Sequence, residues 1–472
     1  MKKTLIVCVL IAFLLSGSSK FATAQDHPAK PNVLLILSDD HSVPYLGIYG
    51  NPDLKTPRLD RLARRGVLFH RAYTAAPQCV PSRATILSGR NVLDIEMSRF
   101  SAPLPREVPT IPEWLDSANY YTGICGRHYH LDGSARQAPK TITTLEKYDL
   151  VTFPDRVDFL QKGTDDEVLG QFQSFLDEVP DGNPFFMWMN FSDPHRRFTA
   201  DAYEPNPAHL RLPGGMPDTE EVRRDLAKHY GEIMRLDEHV GEVLDELKRH
   251  GQAENTIVIF MGDNGAALLR GKGTLYDMGI HVPLIVAGPG IEAGIATDAL
   301  VSGVDIAPTI LALAGVTVPD EMTGKSFLPA LKGEDYTGLE YVFATRVPHS
   351  SGLPEHTGYF DLSRTVFDSR YKLIYNAVWQ LPYTPVDFWR HPMWADLQVK
   401  NEAGELEEKY AQAFFAEPRS MFELYDHEKD PYELRNLAGD SAYATVEQRL
   451  KEELHEWMML NQDYLPLPIP PR

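Results

Sequence analysis

A cysteine with a particular set of neighbours is the first residue of this sequence that could carry chemistry. Cys79 stands two residues before Pro81, and Ser82 and Arg83 follow directly. Proline is favoured in the first turn of a helix, and the run ATIL that comes next is helix-like. The string therefore predicts a turn, stiffened by Pro81, that presents a reactive thiol at a helix entrance. A lone cysteine is usually a buried structural residue, but here the whole C-x-P-S-R string is present.

Oxygen-bearing side chains follow two other apolar runs of the chain. Asp39 and Asp40 end one run, and Asp263 and Asn264 stand just after another. Adjacent carboxylates at the end of a buried strand repel each other and need a cation or hydrogen bonds, although in an ordinary turn they would point into water. A set of oxygen ligands without histidines or thiolates suits Ca²⁺ or Mg²⁺ rather than Zn²⁺.

With Ser88-Gly89-Arg90 behind it, the C-x-P-S-R string resembles the formylglycine-dependent type I sulfatase family. The resemblance extends over nearly the whole chain and is closest to the heparan N-sulfatase (sulfamidase) group, with local matches at 185–196, 370–376 and 423–431. It implies that a formylglycine-generating enzyme oxidises Cys79 to formylglycine, whose hydrated aldehyde is the nucleophile. It also implies one Ca²⁺ held by Asp39, Asp40, the residue derived from Cys79, Asp263 and Asn264.

The resemblance further implies roles for three basic residues. Arg83 and Arg127 would contact formylglycine and sulfate, and Lys272 would reach the sulfate from the opposite side. Basic side chains and a cation offset the repulsion between the sulfate oxygens and an anionic nucleophile. The alternative for Arg127 and Lys272 is a surface role. Lys272 stands where the sulfamidase group has arginine, which weakens an expectation of strict N-sulfate specificity.

Two histidines complete the implied mechanism. His195 would protonate the departing sugar oxygen or nitrogen, and a second histidine would deprotonate the remaining hydroxyl of residue 79 to expel sulfate. The usual Gly-Lys-x-His is replaced here by Gly126-Arg127-His128-Tyr129-His130. We assign the second role to His130 and keep His128 as the alternative. A Cys79→Ser variant would then be sulfated without turnover.

The elements that must position these residues are apolar, strand-like runs. Each candidate residue outside the Cys79 string follows such a run or the loop behind it, and the runs are 32–38, 120–125, 185–191 and 256–261. Helical patterns alternate with them, which predicts an α/β fold with a mostly parallel sheet covered on both faces. Ligands bind at the carboxyl ends of such strands, so the candidates should converge on one cleft. The resemblance implies an alkaline-phosphatase-like version of this fold.

Several helix boundaries can also be predicted. Thr56 should cap a helix that starts at Pro57 and that Gly66 stops. A long amphipathic helix should run over 218–250, with a cap that pairs Asp218 with Glu221.

The texture of the sequence changes near residue 341. Short strands such as 371–375 and proline-rich turns precede a closing helix over 445–460, which predicts a smaller antiparallel sheet packed with a helix. We therefore expect an export signal at 1–24, a catalytic domain at 25–340 and a smaller subdomain at 341–472.

The first residues carry the pattern of an export signal. A basic start, an apolar core over 4–15 and the small residues 22–24 fit a cleaved signal peptide, and the apolar core is too short for a membrane anchor. We therefore expect the protein to be secreted or periplasmic. Cleavage would remove Cys8 and leave Cys79 and Cys125, so the apolar core rather than disulfides must hold the fold.

The formal net charge of −20 argues against nucleic acid and other extended polyanions as partners. A sulfated carbohydrate, such as a glycosaminoglycan like heparan or an algal polysaccharide fragment, would need a local cationic pocket. Candidates for contacts with the sugar in the smaller subdomain are Arg346, His349 and His356.

Two other functions compete with the sulfatase interpretation. Relatives with the same cysteine motif hydrolyse phosphonate or phosphate diesters, but their second metal pair tends to be Asp-His, so Asp263-Asn264 favours sulfate. A non-catalytic, glycan-binding protein would keep Cys79 as a thiol.

Overall fold

The structure is a computed structural model that describes residues 30–100, 102–127, 139–151, 153–349 and 360–465. The predicted export signal, His128, His130 and His356 lie outside these residues. The strands are β1 (Asn32–Ser38), β2 (Gly66–Phe69), β3 (Ala72–Tyr73), β4 (Tyr121–Gly126), β5 (Phe159–Lys162), β6 (Phe185–Asn190), β7 (Thr256–Gly262), β8 (Leu284–Ala287), β9 (Ile295–Thr297), β10 (Val301–Ser302), β11 (Val342–Arg346), β12 (Ser363–Phe367), β13 (Tyr371–Asn376) and β14 (Phe422–Asp426). The helices are α1 (Pro57–Arg64), α2 (Cys79–Ser88), α3 (Ile111–Asp116), α4 (Pro139–Lys147), α5 (Asp165–Glu178), α6 (Glu220–Arg249), α7 (Asp277–Ile280), α8 (Ile306–Leu313), α9 (Leu328–Leu331), α10 (Pro392–Glu402), α11 (Glu408–Phe415) and α12 (Ala444–Leu460).

Eight strands form the central sheet in the order β5-β4-β6-β1-β7-β8-β2-β9. Strand β8 pairs antiparallel with both of its neighbours, and the other pairs of this sheet are parallel. Strand β1 lies between β6 and β7, with Ser38 opposite Gly262 and Leu37 opposite Asn190. The carboxyl ends of these three strands therefore lie side by side, which confirms the predicted mostly parallel sheet.

Both faces of the central sheet are covered by helices. Successive residues of β1 point to opposite faces, so Val33 and Leu35 join a core that α2, α3 and α8 cover. Leu34 and Ile36 join a second core under α1, α5 and α6. All four side chains are completely buried, as the continuous apolar run of β1 predicts for a parallel strand.

A smaller antiparallel sheet, in the order β11-β12-β13-β14, follows in the chain and confirms the second predicted sheet. Helix α12 packs Leu450 and Leu454 on one face of it, against Val366 and Leu373. The other face contributes Phe367, Ile374 and Tyr425 to a core shared with residues near the central sheet, among them Tyr73 and Tyr276. The first strand of this sheet begins at Val342. The division of the chain at 340/341 stays a prediction.

Helix α2 differs from its prediction at its start. Cys79 is itself the first helical residue, after Gln78 as N-cap, so Pro81 lies in the first turn of the helix rather than in a preceding turn. The first turn tolerates proline because its N–H groups have no partner inside the helix. Gly89, at φ +66°, ends the helix and donates its N–H to the Thr85 carbonyl.

Two helix caps also differ from their predictions. Thr219, not Asp218, caps α6 and accepts a hydrogen bond from the Val222 N–H. The side chain of Thr56 makes no capping bond to α1. Asp237 of α6 accepts the N–H groups of Arg58 and Leu59 instead, so a residue far along the chain supplies the cap that Thr56 was expected to provide.

Within the described part of the chain, every helix is either too short or too polar to cross a bilayer.

Candidate active site

The carboxyl ends of β1 and β7 bring the predicted oxygen ligands together. The Asp263 N–H donates to the Ser38 carbonyl at 3.0 Å, which places Asp263 beside Asp39 and Asp40. Asp263 Oδ1 accepts the Asp40 N–H at 3.0 Å. Asn264 Nδ2 donates to Asp40 Oδ1 at 2.9 Å. All of these side chains are fully buried, so the site lies below the protein surface at the edge of the sheet.

Cys79 lies against this group of carboxylates. Its Sγ is 3.3 Å from Asp39 Oδ1 and 3.8 Å from Asp40 Oδ1. Ser82 fixes the first turn of α2 here, because its hydroxyl contacts the Asp263 carbonyl. The thiol is completely buried. Burial, together with the negative charge of Asp39, raises its pKa well above the usual value, so an unmodified Cys79 stays a neutral thiol.

Two arginines neutralise the carboxylates from the side of α2. Arg83 Nε donates to Asp263 Oδ2 at 2.8 Å, and Arg83 Nη2 lies 3.2 Å from Asp39 Oδ2. Arg127, just after β4, places Nε 3.0 Å from the same Asp39 oxygen. Burial disfavours the ionised form of Asp39, yet Arg127 and Arg83 hold its pKa well below the usual range. The expected convergence of Arg83 and Arg127 on one cleft is therefore observed.

Lys272 and His195 lie on the other side of Asp40. Lys272 Nζ donates to Asp40 Oδ2 at 3.0 Å, and His195 Nε2 is 3.7 Å from the same oxygen. Burial lowers the pKa of His195 to about 3, and the positive charges of Lys272 and Arg127 act in the same direction. His195 Nδ1 contacts the Arg196 carbonyl. A carbonyl can only accept, so Nδ1 carries the proton of the neutral ring and Nε2 faces the carboxylates.

Burial disfavours the negative charge of two carboxylates in the cleft. Burial raises the pKa of Asp40 to about 8, and the charge of Asp39 adds to this effect. Burial and Asp39 also raise the pKa of Asp263 to about 6. Asn264 Oδ1 is buried and accepts no hydrogen bond from any residue that the structure describes. A hard divalent cation would stabilise the charges of Asp40 and Asp263 and would give Asn264 Oδ1 a partner. The residues therefore fit Ca²⁺.

The remaining sequence-predicted residues are histidines outside the described ranges and two basic residues of the smaller subdomain. The two histidines proposed for the second proton transfer, His128 and His130, belong to the undescribed part of the chain. Arg346 is buried and ion-paired with Asp361 at 2.7 Å, and its contact with the sugar stays a prediction.

His349 is buried, and its ring lies tilted against Phe100 with centroids 4.3 Å apart. Burial disfavours the ionised form of Asp387 in the cleft. His349 is close enough to act with Lys272 and His195 in nevertheless lowering the pKa of that carboxyl.

One residue of the cleft escaped the sequence analysis. Asp387 Oδ2 lies 2.8 Å from Lys272 Nζ and 3.9 Å from His195 Nε2. It stands in a loop between β13 and α10, 115 positions after Lys272 in the chain. A single acidic residue without a strand before it or a motif around it carries no sequence signal for an active site.

A cavity of about 600 Å³ adjoins the cleft. Arg127 and His195 contribute to its wall next to the carboxylates, and Lys162 and the exposed Arg197 contribute further cationic side chains. A molecule in this cavity could contact both the cleft and solvent.

Two family models match this chain. The model described as Sulfatase matches residues 31–316, which contain the described cleft residues except Asp387. The model described as N-sulphoglucosamine sulphohydrolase, C-terminal, matches residues 269–379 and 376–459.

Similar proteins are found among both curated sequences and solved structures. An ulvan-active sulfatase of Formosa agariphila is 30% identical over 95% of this chain and 78% of its own length. The human N-sulphoglucosamine sulphohydrolase is 30% identical over 92% of this chain and 91% of its own. BT4656, solved in complex with its substrate D-glucosamine-2-N,6-O-disulfate, has a TM-score of 0.68 at 20% identity and covers 93% of this chain and 99% of its own. The phosphonate monoester hydrolase of Agrobacterium radiobacter has a TM-score of 0.68 at 21% identity, with 91% and 96% covered.

Proposed function

Because this chain belongs to the sulfatase family, we propose that it is an exported enzyme that hydrolyses sulfate groups of a sulfated carbohydrate. The observation that carries the proposal is the position of Cys79. Its Sγ lies against Asp39 and Asp40, inside a cleft that Arg83, Arg127 and Lys272 enter. This is the arrangement expected for a nucleophile that must attack a negatively charged sulfate.

The basic residues would bind and orient the sulfate. Arg83 and Arg127 share Asp39 Oδ2 on one side, and Lys272 lies on the side of Asp40. Each of the three is buried to at least 95% of its surface, where charge interactions are stronger than in water. Their fixed positions would stabilise the negative charge that the transition state spreads over the sulfate oxygens.

The proposed reaction also needs a modified side chain at position 79 and a metal ion. Formylglycine at position 79 would supply a hydroxyl nucleophile in place of the thiol, and Ca²⁺ would supply positive charge opposite a sulfate oxygen. The residues that would hold the ion are Asp39, Asp40, Asp263, Asn264 and the modified residue 79. Asp39 Oδ1, as the nearest oxygen to the side chain of residue 79, would also orient that side chain.

His195 would hold the proton for the leaving group. The Nδ1 proton of His195 is directed at the Arg196 carbonyl. Nε2 therefore carries a proton only when the whole ring is a positively charged imidazolium. The lowered pKa makes the ring neutral in the free cleft. A bound sulfate ester adds negative charge beside the ring and favours its protonated form. Sulfate binding and the charging of His195 would therefore go together.

The proposed substrate class rests on the relatives and on the cavity beside His195. The similar proteins act on ulvan or on N-sulphoglucosamine, and one was solved with a disulfated glucosamine. The cavity of about 600 Å³ could hold a sugar residue whose sulfate reaches the cleft. We propose a sulfated saccharide from a glycosaminoglycan or an algal polysaccharide, in agreement with an export signal at 1–24.

A desulfation panel tests the proposal. The protein, produced in a host that converts the cysteine, is offered N-sulfated glucosamine, O-sulfated glycosaminoglycan disaccharides, ulvan oligosaccharides and a phosphonate monoester. Sulfate release from one saccharide class is expected, together with an intact mass that shows formylglycine and the loss of residues 1–24. Cleavage of the phosphonate ester alone would assign the chain to a different reaction. A converted protein that binds saccharides and releases nothing would be a binding protein.

A further inference from the structure

The loop that carries Asp387 packs directly against the loop that carries Lys272. Val386 is almost completely buried, and a Cβ atom added to Gly273 would lie 2.4 Å from Val386 Cγ2. Only a glycine at 273, here at φ +78°, lets the two loops approach this closely. Earlier in the same loop, the Tyr383 hydroxyl accepts the N–H of Arg270 at 2.8 Å. The neighbours of Lys272 on both sides are therefore fixed by the Asp387 loop.

The same loop also contacts the residue that follows His195. Phe388 is buried, and the Arg196 guanidinium lies over its ring at 5.0 Å from the centroid. Arg196 is itself held by Asp225, which accepts from both of its terminal nitrogens. The two neighbours of Asp387 in the chain therefore make these contacts: Val386 packs on the Lys272 loop, and Phe388 packs on the His195 segment. Its own carboxylate points at Lys272 and His195.

Asp40 alone is a poor anchor for Lys272. Its Oδ1 accepts from Asn264, and its Oδ2 accepts from Lys272. Asp40 belongs to the proposed oxygen ligands, and a bound cation would compete with the Lys272 ammonium for these oxygens. Asp387 lies outside that ligand set and contacts Lys272 at the shorter distance, 2.8 Å. Asp387 would stay paired with the Lys272 ammonium when Asp40 binds the divalent cation.

We infer that Asp387 is a positioning residue that aims the Lys272 ammonium at the sulfate. The inference rests on the proposed function and adds to it a carboxylate supplied by the C-terminal part of the chain. Asp387 acts through Lys272, so its contribution to turnover exists only while Lys272 is present.

A double-mutant cycle on the converted enzyme tests this dependence. Asp387→Ala is expected to lower kcat by about 10- to 100-fold, the usual effect of losing a supporting partner at an active site. In a Lys272→Ala background the same change should alter kcat by less than about threefold. Asp387→Glu should restore part of the rate lost in Asp387→Ala. Asp396→Ala is the matched control, because Asp396 lies on α10 and pairs there with Lys400 at 3.6 Å.

A second readout does not depend on turnover. Lys272 is 3% exposed and ion-paired, so acylation by a succinimidyl ester, followed by peptide mass spectrometry, should be slow in the wild type. It should become several-fold faster in Asp387→Ala and stay slow in Asp396→Ala.

The outcomes separate the inference from the function on which it rests. If Asp387→Ala lowers kcat by the same factor with and without Lys272, Asp387 acts independently and the inference is wrong while the function stands. Unchanged acylation of Lys272 in Asp387→Ala would also overturn it. If the wild type releases sulfate from no saccharide, the proposed function fails, and the inference fails with it.

Discussion

The carboxylate of Asp39 joins Cys79 to both arginines of the cleft. Through Oδ1 it lies beside Cys79, and through Oδ2 it meets Arg83 and Arg127. A buried carboxylate is stable only when cations compensate it. The two arginines are thus held by the same group that would orient the nucleophile.

Arg127 is the better of the two arginines for a test, because it lies outside the string around Cys79 that a modifying enzyme would read. Arg127→Met is expected to lower kcat/KM by about 10²- to 10³-fold, the effect typical of losing one fixed donor to a developing negative charge. Initial rates on the saccharide from the desulfation panel measure it. Arg106→Met is the control, since Arg106 is partly exposed and pairs only with Asp155 among the contacts described. A loss below threefold for Arg127→Met would exclude contact with sulfate.

Asn264 offers a direct test of the proposed Ca²⁺ site. Its buried Oδ1 lacks a donor among the described residues, so Asn264→Ala should weaken Ca²⁺ binding by about 10- to 100-fold. Calorimetric titration of the chelator-treated protein measures the affinity. Asn255→Ala is a matched control at the opposite end of β7, where Asn255 Nδ2 donates to the Lys30 carbonyl. Equal Ca²⁺ affinity in both variants would contradict the site.

At the scale of elements, strands β1, β6 and β7 do most to build the site. Their neighbouring carboxyl ends deliver Asp39 and Asp40, the His195 loop, and Asp263 with Asn264. Continuous apolar runs followed by polar residues made this arrangement predictable. The start of α2 was less predictable, because a proline two residues after a cysteine fits both a turn and the first turn of a helix.

The cap of α1 provides a prediction that concerns one helix. Asp237 accepts N–H bonds from Arg58 and Leu59, the first turn of α1. Asp237→Ala leaves these buried donors without a partner, and we expect the free energy of unfolding to fall by about 1–2 kcal/mol. Denaturant titration measures it. Asp245→Ala serves for comparison and should cost less, because Asp245 of α6 contacts Arg58 only through an exposed ion pair at 3.7 Å. A loss for Asp237→Ala no larger than that for Asp245→Ala would mean that Asp237 does not cap α1.

Asp305, just before α8, predicts a pH dependence of stability. It accepts N–H bonds from Ser302 and Lys325, but burial raises its pKa to about 7. Folding therefore favours the protonated form, so this contribution is present near pH 4 and is lost as the pH rises to about 7. Asp305→Asn cannot ionise. It should flatten the change of Tm between pH 4 and 7 by a few degrees, as measured by differential scanning fluorimetry.

The control for Asp305 is the exposed Asp298. Asp298→Asn should leave the pH profile of Tm as in the wild type. If Asp305→Asn and the wild type have parallel profiles over this range, the carboxyl of Asp305 does not titrate there.

At the scale of the molecule, the antiparallel sheet is joined to the rest by a buried ion-pair cluster. Lys372 of β13 contacts Asp277 of α7 and lies 2.9 Å from Glu433 Oε1. Its side chain is completely buried. His427 adds a contact to the same glutamate at 3.0 Å. Since Asp277 follows the Lys272 loop by a few residues, this cluster and the Asp387 loop both tie the C-terminal part to the active-site side of the central sheet.

Removal of the Lys372 ammonium should weaken the attachment of the antiparallel sheet to the rest of the molecule. Lys372→Met leaves two buried carboxylates without their ammonium, and the expected loss of stability is about 3–5 kcal/mol. Thermal unfolding measures the loss, and the sheet from β11 to β14 should unfold at a lower temperature than the central sheet. Lys332→Met, at an exposed position, should change Tm by less than about 1 °C. A Lys372 variant as stable as this control would mean that the apolar core around Phe367 and Ile374 suffices to hold the sheet in place.

Sequence patterns predict contacts between neighbouring strands, but they do not predict contacts between distant loops. The oxygen ligands and basic residues could be placed because strand ends meet at one edge of a parallel sheet. Asp387, the Asp237 cap and the Lys372 cluster could not be placed in this way. Asp387 and Lys272 are 115 positions apart, Asp237 and Arg58 are 179 apart, and Lys372 and Asp277 are 95 apart. Packing across such separations leaves no local pattern. The ion pair between Arg346 and Asp361 is a further contact between separate segments that no local pattern predicted.

The complete burial of Cys79 in the first turn of α2 has a consequence for the proposed oxidation of this residue. An oxidising enzyme would have to reach the thiol, which α2 covers once it packs on the sheet. The proposed conversion would therefore precede folding. A chain that folded with its thiol intact would stay unconverted, so the active fraction of a preparation would be determined during biosynthesis.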